Sequence, residues 1–488
     1  MRKISFLLAV LLLPFVLWGK TVTIYHTSDT HGFFYPKNGQ GGFAALAAVL
    51  KKGPQDYLLL DSGDFANGTI ETKRSKGAKA VALMNAVGYD ATTIGNHEFD
   101  FKETQVAPLL KQIRFAVLAA NFFEADTLTR PAFVKPYQIF TRGGVKIAVI
   151  GLANNGPTSP ATHYTFTKPL IALGNALVEV EKTHPDVVVV IVHDSLKDDK
   201  HGTQPYVGEI AKQYAGRVHV VLGGHAHKIV QNEKINGVLF VESGRHLQNV
   251  SKITVTTDDK TGKVVGSNSS LIPLIVTQTG EDPKIAALAD SLREAGVDEV
   301  VGKLEDPLEK KAPVASHKDS SIDNWISDLG KAYSGADVFI HNVGGARLPL
   351  NAGEVTRRDL IDVYPFENTI TKMTVSGRFL KRFVKANLVP RNLYAYSGLA
   401  ATYKVNKKGK VKDLHIWVNQ KPIQNRQKYI IATNSYIANG GSEGYLFKQI
   451  PAEQKQQVGP KIIRDLMEEA LREGEVIPAP TGRVVERP

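Results

Sequence analysis

Five short apolar runs in the first half of the chain each stop at a cluster of residues able to hold a metal ion. Thr21–Tyr25 leads into His26-Thr27-Ser28-Asp29-Thr30-His31-Gly32, and Tyr57–Leu60 into Asp61-Ser62-Gly63-Asp64. Ala91–Ile94 leads into Gly95-Asn96-His97-Glu98-Phe99-Asp100, Val187–Val192 into His193-Asp194, and Val218–Leu222 into Gly223-Gly224-His225-Ala226-His227. With Val145–Ile150 these runs read as strands buried on both faces, which calls for α/β layering around a sheet. Phe43–Lys51 and Lys79–Val87 have helical periodicity between them, whereas Val238–Val241 and Lys252–Thr257 read as antiparallel additions. In an open α/β sheet the loops after the carboxyl ends of the strands converge on the ligand site. A lone strand-end Asp is usually a turn residue and a lone His a surface or core residue. Five clusters placed alike describe a site for two divalent cations held by carboxylate and imidazole. The glycines beside them let the backbone turn sharply there.

The rest of the chain narrows the possibilities. Its 488 residues predict two domains. The absence of cysteine excludes disulfides, thiolate nucleophiles and iron–sulfur or Cys-zinc sites. Residues 1–19 have a basic start, an apolar run from Ile4 to Leu17 and a small residue before Lys20, the pattern of a secretory signal peptide. Removing it would take Arg2 and Lys3 from a formal net charge of +12 and leave a basic chain suited to an anionic partner. We expect a periplasmic or secreted protein with no stable membrane insertion after cleavage. No phosphate-cradling G-x-x-x-x-G-K-[ST] loop is present, and the basic residues form no base-reading motif, so nucleic acid is not the expected partner. Gly39-Gln40-Gly41-Gly42-Phe43-Ala44 mimics a dinucleotide fingerprint but follows no strand, and reads as a turn before a helix. A polar helix from Pro283 to about Ala295 is the expected connector. The organisation is then a signal peptide over 1–19, a first domain over 20–281, a linker helix over 282–296 and a second domain over 297–488. In the second, Ser321–Tyr333 and Gly377–Ala386 read as helices, and Val338–His341 and Tyr429–Thr433 as strands.

The order D-x-H, G-D, G-N-H-E, strand-end His and G-H-x-H resembles the signature of the calcineurin-like dinuclear metallophosphatases. The forms His26–Gly32, Gly95–Asp100 and Gly223–His227 look like its exported 5′-nucleotidase branch, which includes UDP-sugar hydrolases. The resemblance implies a four-layer α/β/β/α domain, joined by a helical linker to a smaller α/β substrate-binding domain. It implies two divalent ions (Mn, Zn, Mg or Co), one held by Asp29, His31, Asp64 and His227, the other by Asp64, Asn96, His193 and His225. His97 resembles the family's catalytic imidazole, and Asp100 would orient it. Asp61 would be structural, and Asp194 has no assigned role.

The second half resembles the family's substrate domain in three segments: Asn342-Val343-Gly344-Gly345-Ala346-Arg347, Pro365–Thr369 and Asn434–Gly441. The resemblance implies that Phe366 and Tyr436 sandwich the base, that Arg347 meets phosphate, and that Asn342 and Gly345 belong to the same loop. It also shows departures. Lys318 stands where an Arg is common, Asp323 where Gly is usual, and Gly440-Gly441-Ser442-Glu443-Gly444-Tyr445 is one residue longer than the family loop and lacks its ribose-binding Asp, for which Glu443 is the candidate substitute in a loop of different geometry. The implied activity is release of phosphate from nucleoside 5′-monophosphates, with nucleotide sugars as a further substrate. Alternatives on the same scaffold are a 2′,3′-cyclic-nucleotide phosphodiesterase/3′-nucleotidase, a thiosulfohydrolase and a non-catalytic exported binding protein.

Overall fold

The computed structural model describes residues 19–154, 163–196, 206–389, 392–441, 444–474, 476 and 478–488. The signal segment, but for Gly19, and Glu443 lie outside the described residues. The chain divides into two compact units between Arg293 and Glu294.

In the first unit the alternation of side chains along each strand decides the layering. Leu58 and Leu60 enter the core between two sheets, whereas Leu59 faces a helix layer. Val187, Val189 and Ile191 face the same inter-sheet core, and Val188, Val190 and Val192 face helices on the far side. Strands apolar at every position are therefore apolar for two different neighbours. The result is the expected α/β/β/α stack. One sheet has six strands in the order Val264–Pro273, Asn249–Asp258, Gly19–Thr27, Tyr57–Asp61, Ala91–Thr92 and Ala116–Val117. The other runs Ile229–Ile235, Val238–Ser243, Val220–Gly223, Val187–Val192, Val145–Leu152 and Tyr137–Arg142.

Two strand expectations change. Val238–Ser243 is antiparallel to Ile229–Ile235 but parallel to Val220–Gly223. The strand Ile229–Ile235 carries the chain back along the sheet edge, so the next strand re-enters in the original direction and is buried throughout. The third run pairs only over Ala91–Thr92, because the chain leaves the ladder to build the loop that carries Asn96. Asn249–Asp258 does lie antiparallel to Gly19–Thr27.

Gly42 caps helix Phe43–Lys52, so the fingerprint-like segment is a turn before a helix. Pro283–Ser291 is a helix capped by Asp282, whose side chain accepts from the Ile285 N–H at 2.9 Å, a contribution of about 1 kcal/mol. Its Ile285 and Ala289 enter the core of the first unit.

The second unit is built on a five-stranded sheet in the order Tyr394–Ser397, Val338–Asn342, Lys428–Asn434, Thr369–Ser376 and Gln456–Ile462. Helices Ser321–Ser334 and Ile463–Glu473 cover one face, and helix Gly377–Ala386 contributes to the other core. A four-stranded sheet that includes the hairpin Leu399–Val405 and Val411–Val418 completes it.

Candidate active site

The loops after five strands of the first unit meet, and their side chains form three overlapping groups whose ligand atoms lie within 4.8 Å of one another: Asp29, His31 and His227; His31, Asp64 and His97; Asp64, His193 and His225. His31 and Asp64 each belong to two of them, and Asp64 is the only carboxylate that does. Its Oδ2 is 3.0 Å from His193 Nε2 and 4.0 Å from the Nε2 atoms of His31 and His97. Asn96 joins the cluster through its Oδ1, 2.9 Å from His225 Nδ1.

The backbone is bent to place them. Asp29, His31, Asp64, His225 and His227 have φ of +51°, +48°, +58°, +73° and +59°. Non-glycine residues in this left-handed region cost about 1–3 kcal/mol each and persist only where the surroundings over-determine them. A side chain at Gly95 would place its Cβ 2.2 Å from Asp64 Oδ1, so that position must be glycine.

Each ring's proton is assigned by what holds its far nitrogen. His31 Nδ1 donates to Asn67 O at 2.7 Å, and His193 Nδ1 to Ser62 O at 2.6 Å. In the neutral ring of either one, Nε2 is then the nitrogen free to meet a cation in the basin. His193 Nε2 is buried with no hydrogen-bond partner, although a carboxylate oxygen stands 3.0 Å away out of line. An unpartnered buried nitrogen among carboxylates and imidazoles suits a divalent cation. His227 differs. Arg245 Nη1 approaches its Nδ1 at 3.3 Å, which puts the ring proton on Nε2, 3.0 Å from His31 Nε2. A cation between those two nitrogens would replace that proton.

His97 Nδ1 donates to Asp100 Oδ2 at 2.6 Å, and Asn67 Nδ2 donates to the same oxygen at 2.6 Å. Burial pulls the His97 imidazolium down, but the Asp100 hydrogen bond and the charges of Asp64 and Asp100 outweigh it and hold the ring up at about 9. Burial pushes the Asp29 carboxyl up to about 8.

Sequence reasoning missed Asn67 and three further residues. The buried Glu98 carboxylate accepts from Gly95 N, Asp64 N, Phe65 N and Ala66 N at 2.6–3.1 Å, tying two ligand loops together. Its place in G-N-H-E was the available signal. Arg245 and His246, the latter stacked on Phe33 with centroids 3.8 Å apart and 5.6 Å from the His31 ring, carried no motif. Asp61 is structural: it accepts from Thr27 Oγ1, Thr92 Oγ1 and Gly63 N. Asp194 Oδ1 accepts from Ser195 N, a turn contact.

In the second unit, Asn342 and Lys318 line a cavity of about 1040 Å³ with Lys310, Asp323 and Gly344. Lys318 Nζ is 3.1 Å from Glu486 Oε2, so it is neutralised locally. Asn342 Oδ1 accepts from Asn434 Nδ2 at 2.9 Å. Gly345 is fixed by packing, since a Cβ there would come 2.7 Å from His341 Cε1. Arg347, Phe366 and Tyr436 stand outside that lining. Phe366 and Tyr436 are 40% and 50% exposed, so neither is a core aromatic.

Residues 22–229 match the calcineurin-like phosphoesterase domain and residues 300–449 the 5′-nucleotidase C-terminal domain. The chain is thus a metal-dependent hydrolase of phosphoric esters. Protein UshA of Salmonella pullorum is 29% identical over 481 residues, covering 87% of this chain and 86% of that one. The 5′-nucleotidase of Vibrio parahaemolyticus is 26% identical over 484 residues, covering 87% and 84%. The crystal structure of a 5′-nucleotidase precursor from Thermus thermophilus shares the fold, with a TM-score of 0.71 at 23% identity over 96% of this chain and 100% of that one. The chain belongs to the 5′-nucleotidase family of calcineurin-like metallophosphatases.

Proposed function

We propose that this protein is an exported 5′-nucleotidase that releases inorganic phosphate from nucleoside 5′-monophosphates and accepts nucleotide sugars as further substrates. The observation that carries the reading is the Asp64 carboxylate, a member of two ligand groups at once and so able to be shared by two cations. The 5′-nucleotidases among the relatives support the choice of substrate, and the signal-like residues 1–19 support export.

Asp29, His31, Asp64 and His227 would hold one ion, and Asp64, Asn96, His193 and His225 the other. Nitrogen and oxygen donors without thiolate suit Mn, Zn, Mg or Co. When bound there, two such ions would supply charge neutralisation for phosphoryl oxygens and a source of hydroxide near neutral pH. The chain's own residues do the rest. His97, fixed by Asp100, points Nε2 at the basin and would stabilise negative charge developing on the phosphoryl group. Asn67 holds Asp100 in place. Glu98 keeps the Asp64 and Gly95 loops in register. In the second unit Phe366 and Tyr436 would stack the base, and Arg347 would donate to phosphate as a fork.

The test is phosphate release by the metal-loaded mature protein from AMP, a UDP-sugar and a 2′,3′-cyclic nucleotide, with a phosphomonoesterase added to expose hidden monoesters. EDTA-sensitive release from AMP, lost in His97→Ala, is expected. Release from the cyclic nucleotide alone would overturn the reading.

A further inference from the structure

The rows of side chains that face the space between the two sheets of the first unit are apolar along most of their length and polar at one end. Val22 and Ile24 are followed on that face by His26, Leu58 and Leu60 by Ser62, and Leu239 and Val241 by Ser243. Val187, Val189 and Ile191 are followed by His193. The antiparallel row of Val255 and Ile253 reaches Ser251, which stands opposite His26 in the ladder. All five polar residues are buried. They form a layer at the strand ends from which the candidate ligands depart.

The hydrogen bonds of this layer run through His26. Ser62 Oγ donates to Leu222 O at 2.8 Å, so it accepts from His26 Nε2 at 2.9 Å. The ring proton is therefore on Nε2, and Nδ1 accepts from Ser243 Oγ at 2.8 Å. Burial holds the ring neutral, pushing it down to about 3. Ser62 in turn offers its carbonyl to His193 Nδ1 at 2.6 Å and stands two residues before Asp64. Both sheets are joined at Ser62 in this way. Stability alone does not call for a polar layer here, since apolar groups of the same shape in place of both partners leave a fold nearly as stable. We propose that His26 is a positioning residue for the candidate metal centre. By fixing Ser62 it fixes the carbonyl that orients His193 and the turn that presents Asp64, and so the ion held by Asp64, Asn96, His193 and His225. The inference rests on the metal reading above and deepens it.

The experiment is titration of the mature protein with Mn²⁺, followed by electron paramagnetic resonance of the free ion, with thermal melting in EDTA alongside. The wild type should bind two ions. His26→Asn reaches Ser243 but not Ser62, and should weaken one of the two about tenfold while the other stays unchanged. His26→Gln, whose amide nitrogen reaches as far as Nε2, should restore it. In the metal-free protein the His193 Nδ1–H should give an exchange-protected imidazole resonance that His26→Asn loses and His26→Gln keeps. Excess Mn²⁺ should restore kcat to His26→Asn, with KM for AMP unchanged throughout. If His26→Asn melts lower in EDTA, Ser62→Ala carries the same expectation. Unchanged binding of both ions in His26→Asn and Ser62→Ala would overturn the proposal and leave the metal reading standing. Equal weakening by Asn and Gln would also overturn it, since packing and not the hydrogen bond would then be at work. Fewer than two ions on the wild type would overturn the metal reading and this inference with it.

Discussion

In the first unit several candidate ligands are held from behind by partners on other loops, whereas in the second the candidate substrate residues Arg347, Phe366 and Tyr436 are exposed. His31 and His193 are tied through Nδ1 to backbone carbonyls, and five ligand positions sit in left-handed backbone that only a rigid surround maintains. Among the described residues the Arg347 guanidinium donates only to Gly344 O, three residues away, and Phe366 and Tyr436 are both exposed. Chemistry at a cation tolerates no slack in its ligands, while stacking on a base tolerates variation in both ring and base. The difference teaches which kind of mutation each unit will notice.

The largest effect should come from the shared carboxylate. Asp64→Asn keeps the shape and removes the charge, and kcat/KM should fall about a thousandfold or more, with bound metal falling on elemental analysis. Retention of two ions with normal turnover would break the comparison at its strongest point. Next, His97→Ala should lower kcat about a hundredfold while metal content stays constant, the result expected if this imidazole acts on substrate and the others bind metal.

Glu98→Gln sharpens the same contrast through the backbone. Burial pushes this carboxyl up to about 7, and the Asp64 charge adds to the rise. The amide replaces one acceptor oxygen with a donor facing N–H groups. We expect a loss of about 1–3 kcal/mol in denaturant unfolding and about tenfold in metal affinity.

In the second unit Phe366→Ala and Tyr436→Ala should each raise KM for AMP about tenfold, with kcat and melting temperature unchanged. A kcat loss there would mean that the rings position the reacting group and not only the base.

The smallest effect concerns pH. Burial pushes Asp323 up, but the His341 ring, 3.2 Å away, and the Lys310 ammonium at 3.0 Å hold its carboxyl below the usual range. A depressed folded-state value adds stability that is present above the unfolded value of about 3.9 and lost as pH falls through the folded one. Asp323→Asn should therefore flatten the decline in stability of the second unit on acidification below about pH 4, read by urea unfolding at several pH values.

Much of this was legible in the chain. The apolar runs gave the strands because burial on both faces leaves no room for polar residues, and the ligand clusters followed at their carboxyl ends. The layering was legible as α/β, but the direction of Val238–Ser243 was not, since an apolar run carries no sign of which neighbour it pairs with. Glu98 was visible as a letter and invisible as a brace, because its partners are backbone N–H groups that no side-chain motif reports. Lys318 read as a substrate contact, yet Glu486, 168 positions away in the chain, is its neighbour in space.

The sequence alone therefore determined the chemistry available: which residue types stand at which strand ends, the absence of thiols, and the family to which those spacings belong. Tertiary structure decided which atoms of those residues are usable. A ring presents Nε2 only when something holds its Nδ1, and Asn67 O, Ser62 O and Arg245 come to His31, His193 and His227 from other loops. Such partners are brought together by packing, whose contacts are long-range in the chain and so leave no local pattern to read.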